Sequence, residues 1–186
     1  MQTDILNDEN LVKVLKNGGV AIIPTDTIYG IIGQAENSNS VLRIYEIRKR
    51  NPKKPCIILI GDLEEIKKFN IVFTEAQKNQ IKNFNEPTSF ILDCPDDKFF
   101  YLHRGTKTLA FRVPYSQELR NLLFKTGPLI APSANLEGFP PAQTISEAKE
   151  YFGNLVDLYI DGGKLSGKAS KVIKLHKDGS VKVLRP

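Results

Sequence analysis

The run VAIIPTDTIYGII, residues 20–32, decides how the chain is read. Two apolar stretches, Val20 to Ile23 and Ile28 to Ile32, enclose a polar insert, Thr25-Asp26-Thr27, and Pro24 closes the first stretch. Short continuous apolar runs bounded by turn residues predict strands buried on both faces of a sheet. Two hydroxyls and a carboxylate are thereby held between rigid segments, either as a small-molecule contact or as an ordinary Asx or Thr turn.

Working outward, the periodicity predicts a helix over Asp8–Asn17, stopped at Gly18-Gly19, and a second helix opened by Ser38 and carrying Val41, Leu42, Tyr45 and Ile47. That helix runs into Arg48-Lys49-Arg50-Asn51-Pro52-Lys53-Lys54-Pro55, where two prolines force a turn and concentrate cations. Solvated surface and phosphate binding are both open to such a cluster, and arginine can clamp phosphate oxygens with two donors.

Strand Cys56–Ile60 is followed by helices at Leu63–Phe69 and Glu75–Phe84, the latter capped by Thr74. Strands are expected at Ser89–Asp93, Phe99–Leu102 and Thr108–Val113, with a turn at His103-Arg104-Gly105. Helix Ser116–Lys125 precedes strand Leu129–Ala131, and Thr144 to Glu147 reads as a capping box opening a helix to Phe152. Strands at Leu158–Ile160, Ser170–Leu175 and Val181–Leu184 complete an α/β pattern with a sheet of mixed direction.

Composition narrows the chemistry. The chain has 186 residues, 41% hydrophobic and 25% charged, which suits one domain over residues 1–186 that buries about 70% of its unfolded surface. A net charge of +5 fits an anionic ligand, but the basic residues are spread along the chain. Cys56 and Cys94 lie in apolar runs without metal-ligand spacing, and His103 and His176 are the only histidines. No metal site and no histidine-based nucleophilic triad is therefore expected. The N-terminus lacks the pattern of a signal peptide and no apolar run reaches the roughly 20 residues of a membrane span, so a soluble cytoplasmic protein is expected.

Two further clusters follow predicted strands. Ala131-Pro132-Ser133-Ala134-Asn135 offers a hydroxyl and an amide on a stiff loop. Gly162-Gly163 through Gly167-Lys168-Ala169-Ser170-Lys171 is glycine-rich but lacks the spacing of a Walker A loop.

Taken together, PTDTIYG (24–30), Arg112-Val113-Pro114, PSAN (132–135), Ser170-Lys171-Val172 and Leu184-Arg185 resemble, in order and separation, the YrdC/TsaC threonylcarbamoyl-AMP synthase family. The resemblance covers essentially the whole chain. It implies a YrdC-like fold, a twisted mixed sheet flanked by helices with a concave basic cavity. It also implies a nucleotidyltransferase that makes threonylcarbamoyl-AMP and pyrophosphate from L-threonine, bicarbonate and ATP with Mg²⁺. The product would pass to a tRNA threonylcarbamoyl transferase. By the same resemblance Thr27, Arg112 and Ser170 contact threonine, whereas Arg50, Lys54, Ser89, Ser133, Asn135 and Arg185 contact ATP, and Arg48 and Arg50 neutralise charge during the reaction.

The sequence departs from the family at Arg48, where lysine is usual, at Asn85-Glu86-Pro87-Thr88-Ser89, at Lys171, and at Leu59, where a histidine often stands. Longer members carry an additional C-terminal domain that this sequence is expected to lack. The alternative reading is a non-catalytic module of the same fold that binds double-stranded RNA or tRNA on its basic surface. The clusters at PTDT, Arg112 and PSAN favour the enzyme, because backbone binding does not require small-molecule recognition.

Overall fold

The computed structural model describes residues 5–186. The expectation about the extreme N-terminus therefore lies partly outside the described residues. Nine strands among them form one mixed sheet in the order β7-β1-β2-β6-β3-β5-β4-β8-β9. Its first half contains β1 (Ala21–Ile23), β2 (Gly30–Gln34), β3 (Ile57–Leu59), β6 (Leu129–Ile130) and β7 (Leu158–Tyr159). The second half is β4 (Thr88–Asp93), β5 (Thr108–Arg112), β8 (Lys171–Leu175) and β9 (Val181–Arg185).

The opening run behaves as its composition requires. Strands β1 and β2 pair antiparallel, with Ala21 opposite Ile32 and Ile23 opposite Gly30, so the insert Thr25-Asp26-Thr27 becomes the connection between them. Successive side chains of a strand point to opposite faces. Accordingly Val20 and Ile22 enter one core while Ala21 and Ile23 enter the other.

The two cores lie on the two faces of the sheet. Helices α1 (Glu9–Lys16) and α5 (Gln117–Thr126) cover one face with Leu11, Leu15, Leu119, Leu122 and Leu123. Helices α2 (Ser38–Ile47) and α6 (Ile145–Phe152) cover the other with Val41, Ile44, Ile145, Ala148 and Phe152. Fully burying one such aliphatic side chain contributes roughly 1.5–3 kcal/mol, and β1, β3 and β6, covered on both faces, carry no polar residue.

Local chemistry explains the departures from expectation. The cap of α2 is Asn37, not Ser38: its carboxamide oxygen accepts from the N–H groups of Asn39 and Ser40. Phe99–Leu102 is not a strand. Asp96 caps a short 3₁₀ turn, Asp97–Phe99, that leads into α4 (Phe100–His103), and Arg104 ends it at φ 53°. Leu63–Phe69 is 3₁₀ rather than α-helical, and α3 spans Glu75–Ile81, with the expected Thr74 cap in place. At α6 Thr144 does cap, but Glu147 reaches the N–H of Gln143 instead of completing the reciprocal box.

Candidate active site

The β1–β2 connection is organised by Thr25. Its hydroxyl accepts from the N–H groups of Thr27 (3.2 Å) and Ile28 (3.3 Å) and donates to the Ile28 carbonyl (2.7 Å). This tight turn leaves Thr25 and Thr27 on the wall of a cavity and sends Asp26 away from it. One Asp26 oxygen accepts from Arg112 Nη1 at 2.6 Å and the other from the Tyr115 N–H at 2.8 Å. Asp26 thus holds the end of β5 and orients Arg112 instead of meeting a ligand.

The glycine-rich segment folds over this turn. A Cβ built on Gly167 would lie 2.1 Å from the Thr27 carbonyl oxygen, and one on Gly162 would lie 2.6 Å from Pro24 Cβ. Only glycine permits backbones that close. Tyr29 fastens the segment from beneath: its hydroxyl donates to the Gly163 carbonyl (2.7 Å) and accepts from the Gly162 N–H (2.9 Å). Burial pushes the Tyr29 phenol above its ordinary pKa, the Gly162 bond opposes that, and nearby Asp161 adds to it, so the hydroxyl stays protonated.

Beyond the glycines, Ser170 enters the cavity wall and joins three elements. Its hydroxyl lies 2.9 Å from that of Ser89, 81 residues away in sequence, and its carbonyl accepts from Arg185 Nε (2.9 Å) and Nη2 (2.7 Å). Ser89 is fully buried and does not line the cavity; it orients Ser170. Burial, and after it the charge of Arg112, lowers the Arg185 pKa. Two guanidiniums sharing one concavity are an arrangement that an anion relieves.

The basic turn and the Pro-Ser-Ala-Asn loop meet on the opposite wall. Arg48 is only 2% exposed and does not face the cavity. Its Nε donates to the Asn135 carbonyl (3.0 Å) and its Nη2 to Asn135 Oδ1 (2.9 Å), while Nη1 is buried without a partner. Burial, then the neighbouring Arg50 charge, pulls the Arg48 pKa down to about 10, which still leaves it charged at neutral pH. The expected charge-neutralising role therefore does not match its placement: Arg48 fixes the loop that presents Ser133.

Arg50 does line the cavity, with Nε bonded to the Lys54 carbonyl and Nη2 to the Pro55 carbonyl. Lys54 is largely exposed and paired with Glu137 at 2.8 Å. Asn135 is buried and donates to the carbonyls of Leu136 and Phe139, so it too shapes the loop.

The cavity itself encloses about 500 Å³, within the range of small-molecule sites. It gathers Thr27, Arg50, Arg112, Ser133, Ser170 and Arg185 from the expected set, whereas Arg48, Lys54, Ser89 and Asn135 stand outside its wall. Among the described residues the wall contains three arginines and no carboxylate, although Asp26 and Glu137 stand behind two of them. Sequence reasoning passed over Thr106, Thr108 and Cys56, which also line it. The polar Thr106-Lys107-Thr108 entry to β5 is the sequence signal that could have marked the two threonines.

An α/β protein whose cavity gathers hydroxyls and guanidiniums has the chemistry of a site for small anionic ligands. The chain belongs to the Sua5/YciO/YrdC family, whose profile, described as telomere recombination, matches residues 13–186. It is 32% identical over 190 residues to a putative threonylcarbamoyl-AMP synthase of Methanocaldococcus jannaschii, covering 96% of this chain and 88% of that one. It is likewise 32% identical over 178 residues to the threonylcarbamoyl-AMP synthase of Bacillus subtilis, covering 93% of this chain but 51% of that relative. Among solved structures, P. abyssi Sua5 complexed with L-threonine superposes with a TM-score of 0.85 at 28% identity, covering 98% of this chain and 53% of that one. The chain thus spans about half the length of two of these proteins. No helix among the described residues is long and apolar enough to cross a membrane.

Proposed function

We propose that this chain is a threonylcarbamoyl-AMP synthase acting on L-threonine, bicarbonate and ATP in the cytoplasm, one domain supplying both substrate sites. The observation that carries the reading is one cavity shared by Arg112 and Arg185, the residues Thr27 and Ser170, and Arg50 and Ser133. A carboxylate suits the first pair, and the neighbouring hydroxyls suit the amine and hydroxyl of an amino acid. Polyphosphate suits Arg50 beside Lys54, and ribose or base edges suit Ser133. The relatives named as threonylcarbamoyl-AMP synthases and the threonine complex of P. abyssi Sua5 support the same assignment.

In this reading bicarbonate takes up a proton and loses water to give carbon dioxide. The threonine nitrogen bonds to its carbon and gives up two protons, of which one balances the proton that left in that water and one goes to solvent. A carbamate oxygen then attacks the α-phosphorus of ATP, the α–β phosphoanhydride bond breaks, and pyrophosphate leaves. No side-chain nucleophile is required. The protein's part is to hold two anions in reacting distance and to offset their charge with fixed guanidiniums. Arg112, oriented by Asp26, and Arg185, held on Ser170, fix the carboxylate end; Arg50 and Ser133, on the loop set by Arg48, fix the nucleotide end. Mg²⁺ fits as a companion of the nucleotide's phosphates, since the described residues of the cavity wall offer no carboxylate cage, and when bound it would offset phosphate charge. The product would be handed to a transferase that modifies tRNA.

A pyrophosphate-release assay with each substrate omitted in turn tests the proposal. Release that requires L-threonine, bicarbonate and ATP together is the expected result. Release that is indifferent to threonine would refute it, and salt-sensitive RNA binding with no release at all would favour the module instead.

A further inference from the structure

Glu137 lies just beyond Asn135 in the loop that follows β6. Its N–H donates to the Arg48 carbonyl at 2.9 Å, which seats it against the basic turn. From there its carboxylate reaches both cations of the phosphate side: Oε1 accepts from Lys54 Nζ at 2.8 Å, and Oε2 lies 3.6 Å from Arg50 Nη1. Arg50 has already committed Nε to the Lys54 carbonyl (3.1 Å) and Nη2 to the Pro55 carbonyl (2.9 Å). Nη1 is the nitrogen left for an outside anion, and it is the one that faces Glu137.

We infer that Glu137 sets the affinity of the nucleotide site, as an internal anion that an incoming phosphate chain must displace from Arg50 and Lys54. This rests on the nucleotide reading above. Side-chain exposures of 26% for Glu137, 17% for Arg50 and 60% for Lys54 place the trio at the solvent boundary. The Lys54–Glu137 pair, with its lysine exposed, contributes little to folding, and the Arg50–Glu137 separation of 3.6 Å is longer than a hydrogen bond, so neither contact is explained as a stability device. Both do oppose an entering anion. A single phosphate gains little more than the carboxylate it replaces. A triphosphate carries several charged oxygens and can take both cations at once. Displacing Glu137 costs any phosphate that takes these cations, so the carboxylate weakens nucleotide binding, and a triphosphate that engages both cations carries the full cost.

The opposite role is a brace that holds Arg50 and Lys54 in place for phosphate, and it predicts the opposite sign. Calorimetric titration of ATP, AMP and L-threonine into wild type and Glu137→Gln separates the two. The expected result is ATP binding about fivefold tighter in Glu137→Gln, with an equal or smaller gain for AMP, unchanged L-threonine affinity, and a difference that shrinks at high salt. Glu137→Asp, too short to reach both cations, should fall between wild type and Glu137→Gln. Weaker binding of both nucleotides would establish the brace and overturn the inference, as would affinities that do not change. Wild-type protein that fails to bind ATP would refute the nucleotide reading and this inference with it. Wild type that binds ATP, with Glu137→Gln no better for ATP, would refute the inference alone.

Discussion

Asp26 and Arg112, 86 residues apart in sequence, form an ion pair at 2.6 Å beside the cavity, with side chains only 9% and 6% exposed. Removing one partner of a buried pair strands the other charge and costs about 3–5 kcal/mol. Asp26→Ala is therefore expected to lose stability of that order in urea unfolding. L-threonine affinity should fall more than tenfold with it, because Arg112 loses its orientation. A variant as stable as wild type would show that solvent reaches the pair.

Gly167→Ala tests the closeness of the glycine-rich segment to the β1–β2 turn. The added methyl would sit 2.1 Å from the Thr27 carbonyl oxygen, so one backbone must retreat. We expect a loss of about 1–3 kcal/mol and threonine binding weakened by at least tenfold. Calorimetry and thermal unfolding on the same sample would measure both, and unaltered threonine affinity would separate the segment from the site.

Arg48→Lys tests whether the buried guanidinium is a positioning group. Lysine keeps the charge but cannot hold the carbonyl and Oδ1 of Asn135 together, as Arg48 does at 3.0 and 2.9 Å. The expected cost is about 2 kcal/mol of stability, with a raised KM for ATP and little change in kcat. A fall in kcat alone would return Arg48 to the reacting centre.

Acid stability should depend on Asp157. Arg43 beside it, and then the Val20 N–H bonded at 2.8 Å, hold its carboxyl below the usual range against the opposing effect of burial. A depressed folded pKa means that its contribution is complete above the unfolded value of about 3.9 and is lost as pH falls through the folded value. Asp157→Asn should be less stable than wild type near neutral pH and lose less stability below about pH 4. Parallel urea midpoints for the two proteins across that window would refute the assignment.

Much of the fold was legible because burial imposes periodicity: VAII and IYGII announce strands covered on both faces, and Asp8, Thr74 and Ser116 announce helix starts. Phe99–Leu102 misled because an aromatic run reads as a strand when the cap before it, Asp96, is overlooked. Within the site, Thr27, Arg112, Ser133, Ser170 and Arg185 could be read as a set and do share one cavity. Arg48 could not. Whether an arginine is solvated or buried depends on a partner such as Asn135, 87 residues away, and no local pattern encodes that. The same holds for Asp26, whose carboxylate faces β5 only because the Thr25 turn directs it there.

The pairing of β4 with β8, which sets Ser89 opposite Val172, has a consequence for biosynthesis. The β1–β2 hairpin needs only neighbouring residues and can form while the chain is still emerging from the ribosome. Ser170 and Arg185 reach their places only after the distant parallel strand has docked, and contacts of such high contact order are slow to form. A nascent or truncated chain would thus carry a recognisable hairpin yet no competent binding cleft, so maturation of activity should lag behind the appearance of secondary structure.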